Sequence, residues 1–288
     1  MRLHDSHERH VRKGVPLLFP IIIKCHCTLT HFSVNSRKEP VLNHIMSNKP
    51  IIEICCAGPD DVAAAVAGGA SRIELCAALA SEGVTPSPGM IAEALSIAGD
   101  VPVTVLVRPR EGNFHYTKRE VSVMIADVLA IKATGASGVT IGALDSAGMP
   151  DYDVLSLLIE AAGPSMQLTF HRAIDDCHDP VAAIETLAML GFHRVLTSGG
   201  AASAIEGSET IRRMTECAAG RLDIMPGGGV RPDNIVKLHS LTGANQFHSS
   251  ARCKTSLTTT DSSIFGSAPA TVDTDIVKRL VNNLNLHP

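Results

Sequence analysis

The chain has 288 residues, 45% of them apolar and 19% charged, with Lys+Arg 25 against Asp+Glu 29; it can bury a full core, and its slight negative charge gives no attraction for nucleic acid or an acidic membrane surface. Trp is absent and aromatics make up 3%, which argues against a base-stacking platform. The eight cysteines are spread through a large chain rather than concentrated in a small secreted framework, which points to free thiols in a reducing cytoplasm.

Residues 1–48 read as an N-terminal extension, disordered or outside the mature fold. Arg2, Arg9, Arg12, Lys13, Lys24, Arg37 and Lys38 outweigh Asp5, Glu8 and Glu39, and neither periodicity nor helix caps organise them. The apolar run Val15 to Ile23 is broken by Pro16 and Pro20, too short for the roughly 20 apolar residues of a membrane span. No small-residue cleavage site follows it, against a signal peptide. Cys25-His26-Cys27 could catch a soft metal but precedes the organised region. Met46 directly precedes that region, which raises the expectation of a start at Met46, testable by mass spectrometry of the N-terminus.

From residue 49 onward strand-like and helix-like stretches alternate. Strands are predicted at Ile51 to Cys55, Arg72 to Cys76, Val103 to Val107, Gly138 to Ile141, Gln167 to Phe170, Arg194 to Thr197, Asp223 to Met225 and Gln246 to His248. Helices are predicted between and after them, at Asp60 to Ala67, Pro88 to Ala98, Lys118 to Ala133, Tyr152 to Ala162, Pro180 to Leu190, Ala202 to Ala218, Arg231 to Ser240 and Val272 to Leu284. Gly69, Gly135, Gly191 and Gly243 each stand between a helix and a β-rich run, where a left-handed glycine ends the helix. This pattern predicts an α/β fold, a single-domain (β/α)₈ TIM barrel over residues 49–288. A doubly wound sheet is the alternative, but no Gly-x-Gly-x-x-Gly follows the first strand. The Ser/Thr-rich stretch Lys254 to Ala270 is expected as a long exposed loop or lid.

Barrel chemistry is built at the C-terminal ends of strands, and reactive residues gather there. Glu53-Ile54-Cys55 and Glu74-Leu75-Cys76 repeat one pattern that puts a carboxylate and a thiol on the same face. On adjacent strands about 4.8 Å apart, Cys55 and Cys76 could form a two-thiolate site suited to Cu(I), or simply pack as small buried hydrophobes. Cys56 points to the other face, toward the helices. Glu53 and Glu74, one step deeper in an interior expected to be apolar, need partners, with Arg108 or Arg110 the natural candidates. His171 beside Arg172 could act as a general acid/base next to an anion clamp. The turn Gly227-Gly228-Gly229 and His248-Ser249 fall where barrels commonly hold phosphate, though glycines there can serve backbone geometry alone.

Taken together these residues resemble the CutC family of copper homeostasis proteins. The resemblance is carried by Glu53-Ile54-Cys55-Cys56, Gly69 to Cys76, Glu82-Gly83-Val84-Thr85-Pro86-Ser87, Val107-Arg108-Pro109-Arg110, Thr169-Phe170-His171-Arg172-Ala173, Val195 to Gly199 and His248-Ser249-Ser250-Ala251. It implies a (β/α)₈ barrel, a cytoplasmic homo-oligomer, and Cu(I) held by Cys55 and Cys76. Glu111, Asn113 and His115 depart from the family's usual residues in one loop. The resulting expectation is a copper homeostasis protein whose partner is a copper ion. The alternative is a barrel enzyme for a small phosphorylated or carboxylated metabolite, with Arg108, Arg110, Arg172, Gly227, Gly228, Gly229, His248 and Ser249 binding the anion and His171, Arg108, Glu53 and Glu74 as catalytic candidates.

Overall fold

In a computed structural model the described residues are 50–253 and 270–285. The predicted N-terminal extension, the Cys25-His26-Cys27 motif and nearly all of the Lys254 to Ala270 stretch lie outside them. The chain divides into two units, Met1–Ile45 and Met46–Pro288, and all that follows concerns the second.

Eight strands, β1 (Ile51–Cys56), β2 (Arg72–Leu75), β3 (Val103–Leu106), β4 (Gly138–Ile141), β5 (Gln167–Phe170), β6 (Arg194–Thr197), β7 (Asp223–Pro226) and β8 (Gln246–Ser249), alternate with eight helices. The helices are α1 (Pro59–Gly68), α2 (Pro88–Ala98), α3 (Lys118–Ala133), α4 (Tyr152–Ala162), α5 (Pro180–Met189), α6 (Ser208–Ala218), α7 (Ile235–Thr242) and α8 (Thr274–Asn285). All strand pairs are parallel, and the order β7-β6-β5-β4-β3-β2-β1-β8 keeps consecutive strands adjacent. That sequential order has no reversal point, which sets aside the doubly wound alternative. At the seam between β7 and β8 a side-chain hydrogen bond from Gln246 Nε2 to Asp223 Oδ2, 2.5 Å, links the two ends of the sheet. The result is a nearly closed (β/α)₈ barrel.

Local sequence accounts for most boundaries. The four junction glycines all adopt left-handed backbone, with φ of +85° at Gly69, +83° at Gly135, +80° at Gly191 and +68° at Gly243. Helix α3 opens on a capping box between Thr117 and Glu120. Helices α6 and α7 start a turn or more later than their patterns suggest. Before α6, Ala204 N–H donates to Gly228 O and Gly207 N–H to Ser203 O, drawing the segment onto the β7 turn. Before α7, the Asn234 side chain accepts from Arg231 N–H and donates to Gly229 O, closing a turn that competes with helix.

The two faces of the sheet differ sharply. Outward residues such as Ile52, Ile54, Cys56, Ile73, Val105, Phe170, Val195 and Phe247 form one core with Val62, Met124, Leu158, Leu187, Met214 and Leu280 from the helices. Cys56 therefore packs toward the helices as expected. The inward face is not the layer of branched apolar residues expected of a barrel: Glu53, Arg72, Glu74, Thr104, Thr140, Thr169, Arg194 and Gln246 are all buried polar groups. Among the described residues no helix is long and apolar enough to cross a membrane.

Candidate functional site at the barrel mouth

Near the C-terminal ends of β1 and β2, Cys55 Sγ and Cys76 Sγ lie 3.7 Å apart. Both are buried, and with Leu106 they form a small apolar cluster separate from the main core. The register pairs Cys55 with Glu74 rather than with Cys76. One donor atom each from Cys55, Glu74 and His248 consequently lies within 4.8 Å of the other two. Two overlapping sets of donors thus share Cys55: a thiol pair, and a thiol–carboxylate–imidazole trio.

This geometry corrects the expected separation of a thiol pair above a carboxylate pair. Glu53 does sit deeper, but Glu74 stands level with Cys55 and belongs to the mouth. The expected arginine partners are also wrong. Glu53 pairs with Arg72 Nε at 2.5 Å and with His248 Nδ1 at 2.7 Å. Arg72 also donates to Gln246 Oε1 at 2.9 Å. Arg108 and Arg110 lie past the end of β3 and are taken up by other partners, Arg108 by the carbonyls of Ser81, Gly83 and Gly112 and Arg110 by Glu120. Sequence reasoning overlooked Arg72, although the alternation that aimed Glu74 inward applies equally to a residue two positions earlier on the same strand.

The electrostatics follow from this wiring. Burial would raise the Glu53 carboxyl, but Arg72 and then His248 outweigh it and hold the group well below the usual carboxylate range. His248 is disfavoured as a cation by burial, yet Glu74, Cys55 and Glu53 together push its pKa well above that of a free imidazole. Glu74 is raised, by burial first and with the charge of Glu53 adding to it. The Cys55 thiol is raised well above normal by its contact with Cys76 and by burial. Protonated His248, oriented by Glu53 through Nδ1, thus presents Nε2 toward Cys55 and toward Glu74, 3.8 Å away.

A cavity of about 620 Å³ opens above these groups. Of the residues expected at the site, Cys55, Glu74, Arg108, His171, Arg172, Gly228, Gly229, His248 and Ser249 line it. Glu53 and Cys76 sit behind its wall. Arg110 is engaged by Glu120 at 2.6 Å and by the carbonyls of Glu111, Asn113 and His115. It braces the loop of β3 that carries the family departures Glu111, Asn113 and His115. Arg172 pairs with Asp175 at 2.8 Å and donates to Ser198 Oγ at 3.0 Å. Asp175, which sequence reasoning did not single out, also accepts from the backbone of Ser198 and Gly200. The Ser198-Gly199-Gly200 turn is thereby satisfied within the protein. Ser249 Oγ donates to Val230 O at 2.8 Å, tying β8 to the β7 turn.

The spacing of the donors suits a soft ion. Two metal–thiolate bonds of about 2.3 Å, as in zinc sites, spanning the 3.7 Å between the sulfurs would enclose roughly 107°. That is a bent angle with room for a third donor, which His248 and Glu74 are placed to offer. The residues therefore fit a thiophilic ion of low coordination number.

Comparison with known proteins identifies the family. Residues 50–253 match the model of the CutC family. The chain is 44% identical over 206 residues to the human copper homeostasis protein cutC homolog, covering 72% of this chain and 75% of that protein. It is 47% identical over 204 residues to a family protein CutC of Xylella fastidiosa, covering 70% and 74% of the two. A crystal structure of the putative copper homeostasis protein CutC from Streptococcus agalactiae superposes with a TM-score of 0.67 at 33% identity, over 70% of this chain and 98% of that one. A structure described as an aldolase shares the fold alone, at 17% identity, TM-score 0.55 and coverage of 72% and 92%. The chain belongs to the CutC family.

Proposed function

We propose that the protein serves copper homeostasis by binding Cu(I) as cargo through the thiolates of Cys55 and Cys76. The observation that carries this reading is the pair of buried sulfurs 3.7 Å apart at the barrel mouth, set off from the main core. Soft thiolates select Cu(I) over harder ions, and a reducing cytoplasm keeps such a pair from closing into a disulfide. His248 supplies the electrostatic half of the site. Its positive charge beside Cys55 favours the thiolate, and Glu53 holds the ring in place through Nδ1. The ion takes the place of the thiol protons, and Glu74 or a deprotonated His248 completes its coordination.

Titration with Cu(I) against a chromophoric chelator under reducing conditions tests the proposal. One equivalent should bind tightly, and both Cys55→Ser and Cys76→Ser should lose it. Undiminished binding in the double variant would reject the thiol pair.

A further inference from the structure

The turn after β7 takes no part in the thiol site, and its backbone bonding is one-sided. Three successive carbonyls are taken up inside the protein: Gly228 O accepts from Ala204 N–H at 2.9 Å, Gly229 O from Asn234 Nδ2 at 2.9 Å and Val230 O from Ser249 Oγ at 2.8 Å. The N–H groups of Gly228 and Gly229, by contrast, have no acceptor among the described residues. A turn whose acceptors are engaged and whose neighbouring donors are not presents positive partial charge. Both glycines line the cavity, and Gly228 is half-buried and Gly229 exposed, so a ligand can reach the turn.

A cation stands over the same turn. φ is +88° at Gly228 and +77° at Gly229, a region strained for any side chain, and a Cβ added at Gly228 would fall 3.9 Å from Arg172 Cζ and 3.2 Å from Ser198 Cβ. Asp175 holds the guanidinium there through Nε at 2.8 Å, and Ser198 Oγ holds Nη2 at 3.0 Å, while Nη1 has no acceptor among the described residues. The Asp175 carboxylate also accepts from Thr197 Oγ1, Ser198 N–H and Gly200 N–H, so its charge is offset by donors of the protein. Asp176, which also lines the cavity, is exposed and screened by solvent.

We propose that this turn binds the phosphate of a small phosphate monoester, its oxygens accepting from Gly228 N–H, Gly229 N–H and Arg172 Nη1. Two neighbouring amides and one guanidinium supply donors for three oxygens, which a tetrahedral phosphate has and a planar carboxylate lacks. The turn follows the seventh strand, where barrels commonly hold phosphate, and a cavity of about 620 Å³ leaves room for a small carbon skeleton beside it. None of these three residues is a ligand in the copper reading, so the site stands whether or not the thiols bind an ion.

Calorimetric titration of the metal-free full chain with glycerol 3-phosphate and ribose 5-phosphate tests the assignment, with glycerate, glycerol and ribose at matched ionic strength as comparisons. At least one ester should bind, glycerol and ribose should not, and Arg172→Gln should weaken binding by about tenfold or more, the worth of a hydrogen bond to a charged group. The Cys55→Ser/Cys76→Ser variant should bind the ester as wild type does, which separates this site from the copper reading. Because Arg172→Gln also gives up the contacts with Asp175 and Ser198, the backbone amide resonances of Gly228 and Gly229 in wild-type protein provide a second readout and should shift when the ester is added. No binding of either ester, binding that leaves those two amides unmoved, binding indifferent to Arg172→Gln, or tighter binding of glycerate than of glycerol 3-phosphate would overturn it.

Discussion

Arg72, which opens β2, and Arg108, just past the end of β3, are both buried arginines of one barrel, yet they answer to different surroundings. Arg72, on the barrel floor, meets the Glu53 carboxylate, Gln246 and the Met225 sulfur. Arg108, at the mouth, meets backbone carbonyls, the face of Phe114 and the Tyr116 side chain. On the floor the charge of Arg72 is neutralised by Glu53, while Arg194 bonds only to Thr169 Oγ1 and Gln167 Oε1; at the mouth Arg108 likewise has no ion pair among the described residues. The difference is one of pairing: Arg72 is held by a carboxylate, and Arg108 by neutral groups.

Substitution on the two sides should therefore differ in kind. The largest effect belongs to the floor: Arg72→Met leaves Glu53 buried without its main counter-charge and should lower stability by roughly 3–5 kcal/mol in denaturant unfolding. Arg108→Gln should lower it by much less, and comparable losses would erase the distinction.

Next in size is Gly142→Ala, whose methyl would displace the His171 ring and should cost about 1–3 kcal/mol as overpacking. The damage should be local, with Cu(I) affinity retained and the His171 resonances shifted.

The acid limb of stability sharpens the comparison further. His171 falls from an ordinary value of 6.5 to about 3 in the fold, so between those values the unfolded chain binds the extra proton. Its contribution is fully present above pH 6.5 and is lost as the pH falls toward 3. Glu53, also depressed, contributes stability above its unfolded value of 4.5 that is lost progressively as the pH falls below it. His171→Phe should flatten the stability profile between pH 6.5 and 4.5 and leave the Glu53 part, which begins below 4.5; an unchanged profile would mean the ring is not held neutral.

The smallest predicted effect is on affinity. Cys55 must give up a proton to bind the ion, so Cu(I) affinity should rise about tenfold per pH unit near neutrality for each proton released. Competition titrations at several pH values measure that slope, and a flat response would mean the ion does not displace the Cys55 proton.

Much of this was legible in the sequence because it depends on local periodicity. The four glycine junctions, the alternation of strands and helices, and the Glu-x-Cys repeat specify the barrel and place Cys55 and Cys76 on one face. Partner choice was not legible, since it depends on register across strands. Cys55 opposite Glu74, and Glu53 opposite both Arg72 and His248, follow from stagger that no single strand encodes. His248 appeared to belong to an anion corner with Gly227–Gly229, and only the pairing of β8 with β1 brings it onto Glu53. Asp175 was missed because it gains its role through contacts with Ser198 and Gly200 on the next strand's loop.

X-ray absorption at the copper edge of the Cu(I)-loaded protein tests the central claim most directly. The thiol pair and its bent geometry predict two sulfur scatterers and one nitrogen or oxygen donor, with the sulfur contribution halved or lost in Cys76→Ser. A first shell without sulfur, or one unchanged by that substitution, would contradict the assignment of Cys55 and Cys76 as the copper ligands.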